Sequence, residues 1–167
     1  KAGLESYEYA LGLYGLGATA QFRRPRSDLA AARVYYGRVR DEDRTGKAAP
    51  WAALALVRLE FLAKVNGDAR LEKSDMAEEK TREGYRRVME QFPESWAAQE
   101  ATLHLAQSLF CTEDGKEAWE AVRLLETLVK EHPDSPYLYG VYGALAWNAY
   151  NRGEYMDQYH HMVKQVG

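Results

Sequence analysis

One phrase occurs twice in this chain, and its spacing limits what the rest can fold into. Gln91-Phe92-Pro93-Glu94-Ser95-Trp96 and Glu131-His132-Pro133-Asp134-Ser135-Pro136-Tyr137 each close one helix-like stretch and open another rich in alanine and aromatics, with the two prolines 40 residues apart. Self-similarity at a period of about 20 to 50 residues marks stacked supersecondary units, each burying its apolar face only against a neighbour. An array is therefore expected, and arrays mostly present a surface to other proteins.

Apolar spacing predicts helix nearly everywhere. Ala98, Ala101, Leu105 and Leu109 lie three or four residues apart, and Val122, Leu125, Leu128 and Val129 continue the pattern. No segment alternates as a strand. Turn chemistry breaks the chain at 23–28, 41–50, 66–68, 92–95, 112–115, 132–136 and 152–153. The predicted helices are 3–21, 27–42, 50–66, 74–91, 95–111, 116–131, 136–151 and 154–165, with Ser27, Ser74, Ser95 and Ser135 as N-caps. They pair as four antiparallel hairpins, 3–42, 50–91, 95–131 and 136–165, in one domain. Small residues beside larger ones, Ala32 with Tyr36, Ala121 with Leu125 and Ala146 with Tyr150, mark where helices interdigitate.

A formal net charge of −3 on 167 residues offers no field that would attract nucleic acid or anionic lipid, so neither is expected as a partner. The single cysteine, Cys111, excludes an internal disulfide framework and a cysteine zinc site. No apolar run approaches the roughly 18 residues needed to span a bilayer. A chain beginning at Lys1 rather than Met is expected to be a processed product or a fragment.

The pattern resembles the tetratricopeptide repeat family over essentially the whole chain. Leu145-Ala146, Tyr150, Gly153, Glu154 and Tyr155 stand where that family places Leu-Gly, Tyr, Gly, Asp and Tyr. Asp28-Leu29, Ala32, Tyr36 and Val39 fit the motif's second helix, and Tyr85, Val88 and Pro93, like Ala121, Leu125, Leu128 and Pro133, keep its spacing to the closing proline. The period of 40 exceeds the family's 34 because turns inside the repeats are longer. The phrase Pro-Glu/Asp-Ser before an aromatic also resembles a divergent subgroup of bacterial envelope proteins, such as the barrel-assembly lipoprotein of the outer membrane and the periplasmic coordinator of the Tol-Pal system.

The family resemblance implies an all-α, right-handed superhelical stack of about four hairpins whose first helices line a concave groove. Carried over, that groove contains Tyr9, Leu13, Arg58, Phe61, Lys64, His104, Gln107, Phe110, Trp147 and Tyr150. The subgroup resemblance implies the periplasm or cell envelope rather than the cytoplasm.

Catalytic and metal chemistry finds little purchase. Asp157 and His161 have i, i+4 spacing, but the adjacent His160 and His161 diverge by about 100° on a helix, so a solvated terminal helix is expected rather than a metal site. Glu100 and His104 at the same spacing read as a helix-surface pair rather than an acid/base pair. Cys111 lacks the basic neighbours that activate a thiol and reads as a small core or groove residue. Gly12, Gly15 and Gly17 follow no strand, so close helix packing is favoured over nucleotide binding. The arginines 23, 24 and 26 read as a solvated turn, and 73–83 as an exposed charged face. The expected function is a non-catalytic module, without cofactor or metal, that binds a peptide or helix of a protein partner within a multiprotein assembly. A structural spacer or self-associating segment, a helical enzyme or small-molecule sensor, and a nucleic-acid-binding module are the alternatives.

Overall fold

The computed structural model describes residues 6–22, 28–67, 75–112 and 115–153, with side chains described outside 61–78. These residues form seven α-helices and no strand: α1 (Tyr7–Phe22), α2 (Leu29–Glu42), α3 (Ala49–Gly67), α4 (Asp75–Gln91), α5 (Trp96–Phe110), α6 (Gly115–Glu131) and α7 (Leu138–Asn151). The chain is all-α, and no described helix is long and apolar enough to cross a membrane. The predicted helix at 154–165, with Asp157, His160 and His161, lies outside the described residues, as do the caps Ser27 and Ser74. The contacts divide the expected single array into two compact units, Lys1–Phe92 and Pro93–Gly167, which part within the first copy of the repeated phrase.

In the first unit α2 packs on both α1 and α3, and α3 packs on α4. The buried residues of α1 are Ala10, Leu13, Gly17 and Gln21, one stripe at helical spacing. That stripe joins Ala32, Tyr36 and Val39 of α2 and Ala52, Ala55 and Leu59 of α3 in a single core. Gly17 sets how near α1 and α2 can come, because a Cβ there would lie 2.6 Å from the Tyr36 ring. Tyr36 is buried, rests 5.1 Å from the Tyr14 ring centroid, and donates its hydroxyl to Gln21 Oε1 at 3.0 Å. Burial, with Tyr14 beside it and against the opposing charge of Arg58, pushes the Tyr36 phenol up to about 12. Gly12 and Gly15 have open space where a Cβ would stand, so of the three glycines only Gly17 makes the close approach. The same device joins α3 to α4, where a Cβ on Gly84 would fall 2.9 Å from Val57.

Aspartates set the helix starts. Asp28 accepts from the Ala31 amide at 2.9 Å, so it, one residue past the predicted Ser27, caps α2; its own amide donates to the Ala20 carbonyl at 2.8 Å, fastening the start of α2 to α1. Asp43 holds the α2–α3 turn: Oδ2 accepts from the Ala48 and Ala49 amides at 2.8 and 3.0 Å, and Oδ1 from the Thr45 amide at 2.9 Å and its hydroxyl at 2.6 Å. Burial alone would raise this carboxyl, but the bonds from Thr45, Ala48 and Ala49 outweigh it and hold the group below its ordinary value.

In the second unit α5 packs on α6, and both pack on α7. Ser95 caps it as predicted, accepting from the Ala98 amide at 3.1 Å. Ser135 instead accepts from the Tyr137 amide at 3.2 Å, closing a turn, and α7 begins at Leu138 with no side-chain cap. α5 and α7 run parallel in a fixed register. Tyr137 donates to Glu100 Oε2 at 3.1 Å, and a Cβ on Gly140 would lie 2.9 Å from Leu103. α7 ends at Asn151 with Arg152 as its C-cap, and the next residue, Gly153, has a φ of +74°, the left-handed conformation that favours glycine.

Gly17→Ala is expected to lower stability by about 1–3 kcal/mol, since a buried ring must move, whereas Gly15→Ala should be neutral or stabilising by up to about 1 kcal/mol. Urea unfolding of the two variants checks this. Asp43→Ala is expected to cost about 1–2 kcal/mol at neutral pH. Because the folded carboxyl is depressed, the stabilisation is present above its ordinary value of 3.8 and lost as pH falls through the lower folded value. The gap between wild type and Asp43→Ala should therefore narrow in urea titrations as pH falls below 3.8 and close once the folded carboxyl is protonated.

Candidate functional site

Charge is divided unevenly between alternate helices. α7 has no Asp, Glu, Lys or Arg, α5 only Glu100 and α1 only Glu8, whereas α4 carries nine such residues and α6 seven. A helix with charges on one side is a solvated face over a core; one with none is either packed all round or has an apolar side without a charged cover. α5, with only Glu100 charged, is packed over most of its surface, nine of its residues being buried. α7, with no charged residue, exposes large aromatics instead, Tyr139 at 75%, Trp147 at 62% and Tyr150 at 50%. Trp147 and Tyr150 stack, with ring centroids 6.2 Å apart and planes at 27°. Positions 139, 143, 147 and 150 follow one another three or four residues apart, so these aromatics share one helix face, with Gly143 between them.

Along α5, Glu100, His104 and Gln107 form a row. His104 Nε2 stands 3.6 Å from Glu100 Oε1, an ion-pair distance when the ring is protonated, and Nδ1 is 3.3 Å from Gln107 Oε1. Glu100 is further engaged by the Tyr137 hydroxyl, so the pair belongs to a positioning network between helices. Gln107 is exposed, and Phe110 is partly buried at the C-terminal end of α5. In the second unit, then, the predicted residues Trp147 and Tyr150 meet each other, as do His104 and Gln107.

The first unit distributes its predicted residues differently. Leu13 is 6% exposed and packed in the core, which removes it from any surface. Tyr9 is half exposed and hydrogen bonds Arg38 of α2. Arg58 is half-buried on α3, near enough to Tyr36 for its charge to be felt by the phenol. The side chains of Phe61 and Lys64 lie outside the described ones. Cys111 is exposed at the C-terminal end of α5, not a core residue.

Two clefts are built within single units. In the first unit one of about 450 Å³ lies among Arg40, Asp41, Val57, Glu60, Gly84 and Arg87. Its charges are largely answered internally: Arg40 grips Asp41 through two bonds of 2.7 and 3.0 Å, and Glu60 stands 3.8 Å from Arg33. In the second unit one of about 260 Å³ lies where the end of α5, the start of α6 and the end of α7 meet. There the Arg152 guanidinium lies over the Trp119 ring, 4.2 Å from its centroid. Among the described residues no three His, Cys, Asp or Glu side chains gather as metal ligands would.

No protein-family model, no curated protein and no solved structure matches this chain. The sequence reading missed the partition of charge between alternate helices, although that partition is written in the residues. It also missed Asn148 and Arg152 in the second cleft, which become neighbours of Phe110 and Trp119 only once the helix ends are brought together.

Proposed function

We propose that the chain is a non-catalytic, tetratricopeptide-like binding module, a right-handed stack of hairpins that holds a segment of a protein partner on its odd-numbered helices. The observation that carries this reading is the exposed, stacked Trp147–Tyr150 pair on a helix without charge. Aromatic side chains held rigidly by a helix lose little freedom on binding, and such residues dominate interface energies. His104, Gln107 and Phe110 on α5 supply further polar and apolar contacts within the second unit, and Tyr9 and Arg58 are candidates for contact within the first unit taken by itself. Leu13 is no part of it. The parallel register of α5 and α7 supports the repeat reading, since equivalent first helices of successive hairpins would lie side by side in such a stack. A cell-envelope assembly is the proposed setting, on the resemblance of the Pro-Glu/Asp-Ser phrase alone.

The test is capture of partners from native extract by the purified chain beside a Trp147→Ala/Tyr150→Ala variant. Both residues are exposed, so thermal stability should hold. A specific partner is expected to be retained by the wild type and to bind the variant ~30-fold more weakly or worse. Equal capture by both would remove this surface from the proposal.

A second reading, self-association, is favoured by α1. Its outer side exposes Leu11 at 49%, Leu16 at 48% and Phe22 at 71% beside the open Gly12 and Gly15. Under that reading sedimentation velocity shows a concentration-dependent dimer that Leu11→Lys/Leu16→Lys dissociates; a monomer at all concentrations rejects it.

A further inference from the structure

We infer that the cleft shared by the ends of α5, α6 and α7 receives an extended stretch of polypeptide backbone, gripped by the carboxamide of Asn148. Asn148 is only 8% exposed and lines this cleft. Its backbone carbonyl accepts from the Arg152 amide, but its side chain makes no hydrogen bond with the protein. Its polar atoms reach the cleft, since among the described residues the buried side-chain atom without a partner is Gln99 Oε1 rather than either polar atom of Asn148, so the carboxamide faces the cleft with its hydrogen-bonding capacity open to a ligand. Water fills such a place until a ligand reproduces its bonds.

The chemistry of the gap selects the ligand. A carboxamide offers an N–H donor and a C=O acceptor side by side, and its complement is a group offering the same pair in reverse. One residue of an extended chain does this, because its own N–H and C=O point to the same side, as they do when two strands exchange bonds. A helical segment cannot, since its amides are spent on bonds along the helix. A carboxylate would answer the N–H and leave Oδ1 unmet, and the first turn of α6 already carries Glu117.

The rest of the cleft suits a backbone. Arg152 over Trp119 places a cationic donor beside it, Phe110 and Trp119 give apolar walls, and Gly115 has open space next to it. Thr112 donates its hydroxyl to the Leu109 carbonyl at 2.8 Å, which leaves that oxygen as an acceptor. A volume of about 260 Å³ fits a residue with its flanking amides better than a folded element. The inference rests on the peptide-binding reading above only for the source of the ligand.

The test needs no partner. N-acetylglycine N-methylamide, one residue between two amides, is titrated into the ¹⁵N-labelled chain to about 100 mM, the range in which fragments of this size bind. Acetate is titrated in parallel. The expected result is a saturable shift of the Asn148 side-chain NH₂ and Trp119 indole N–H signals with the diamide, several-fold larger than with acetate. In Asn148→Asp, which keeps the shape but loses the donor, the Trp119 shift should vanish. No saturable shift in the wild type would overturn the inference, and so would an acetate response equal to or greater than that of the diamide; the wild-type titration decides even where the variant does not fold. A positive titration with a failed capture experiment would retire the aromatic surface and keep this cleft, and the reverse pair would retire the cleft alone.

Discussion

A glycine set against a large side chain of the neighbouring helix is the contact on which the packing depends. Among the described residues it is seen at Gly17 on Tyr36, Gly84 on Val57 and Gly140 on Leu103. In each case the missing Cβ lets one helix approach until a bulky side chain fills the groove, so spacing and rotation of the two axes are fixed together. Where Tyr36 fills the space, its hydroxyl would be stranded in the core but for Gln21, one turn beyond Gly17 on the same stripe. Close approach and polar satisfaction thus come from one face of α1.

Fixed spacing has a consequence for function. The even-numbered helices α2, α4 and α6 carry five, nine and seven charged residues, whereas α1, α3, α5 and α7 carry one, three, one and none, and α7 holds its exposed aromatics on a rigid backbone. Display of this kind needs no cofactor and no moving part, only a surface ordered before the partner arrives. The row from Tyr137 through Glu100 to His104 and Gln107 fits the same account, since it ties the start of α7 to α5 and orients the side chains along α5.

The helices were legible because helix formation is signalled locally, by apolar periodicity, prolines and caps. Predicted ends differ from the observed ones by at most two residues over the seven described helices, except at the start of α1, expected at 3 and found at Tyr7, and the α7 start moved because Ser135 is used by the turn before it. What was not legible depends on phase. Gly12, Gly15 and Gly17 look alike in the sequence, yet only Gly17 falls on the stripe with Ala10 and Leu13 that meets α2. Leu13 followed the same stripe into the core, away from the groove to which the family resemblance had assigned it, and Cys111 ended at an exposed helix end. Asn148 was invisible for a different reason: an asparagine between tryptophan and alanine carries no signal until its lack of a partner is seen in three dimensions.

The central claim, that the odd-numbered helices carry the partner, is tested most directly by site-specific photo-crosslinking in native extract. A photoreactive residue at position 147, on the exposed face of α7, is compared with one at position 126, exposed on the charged α6. The account predicts a discrete adduct from position 147 and none of the same mass from position 126. Adducts from 126 with none from 147 would place recognition on the charged helices and contradict it.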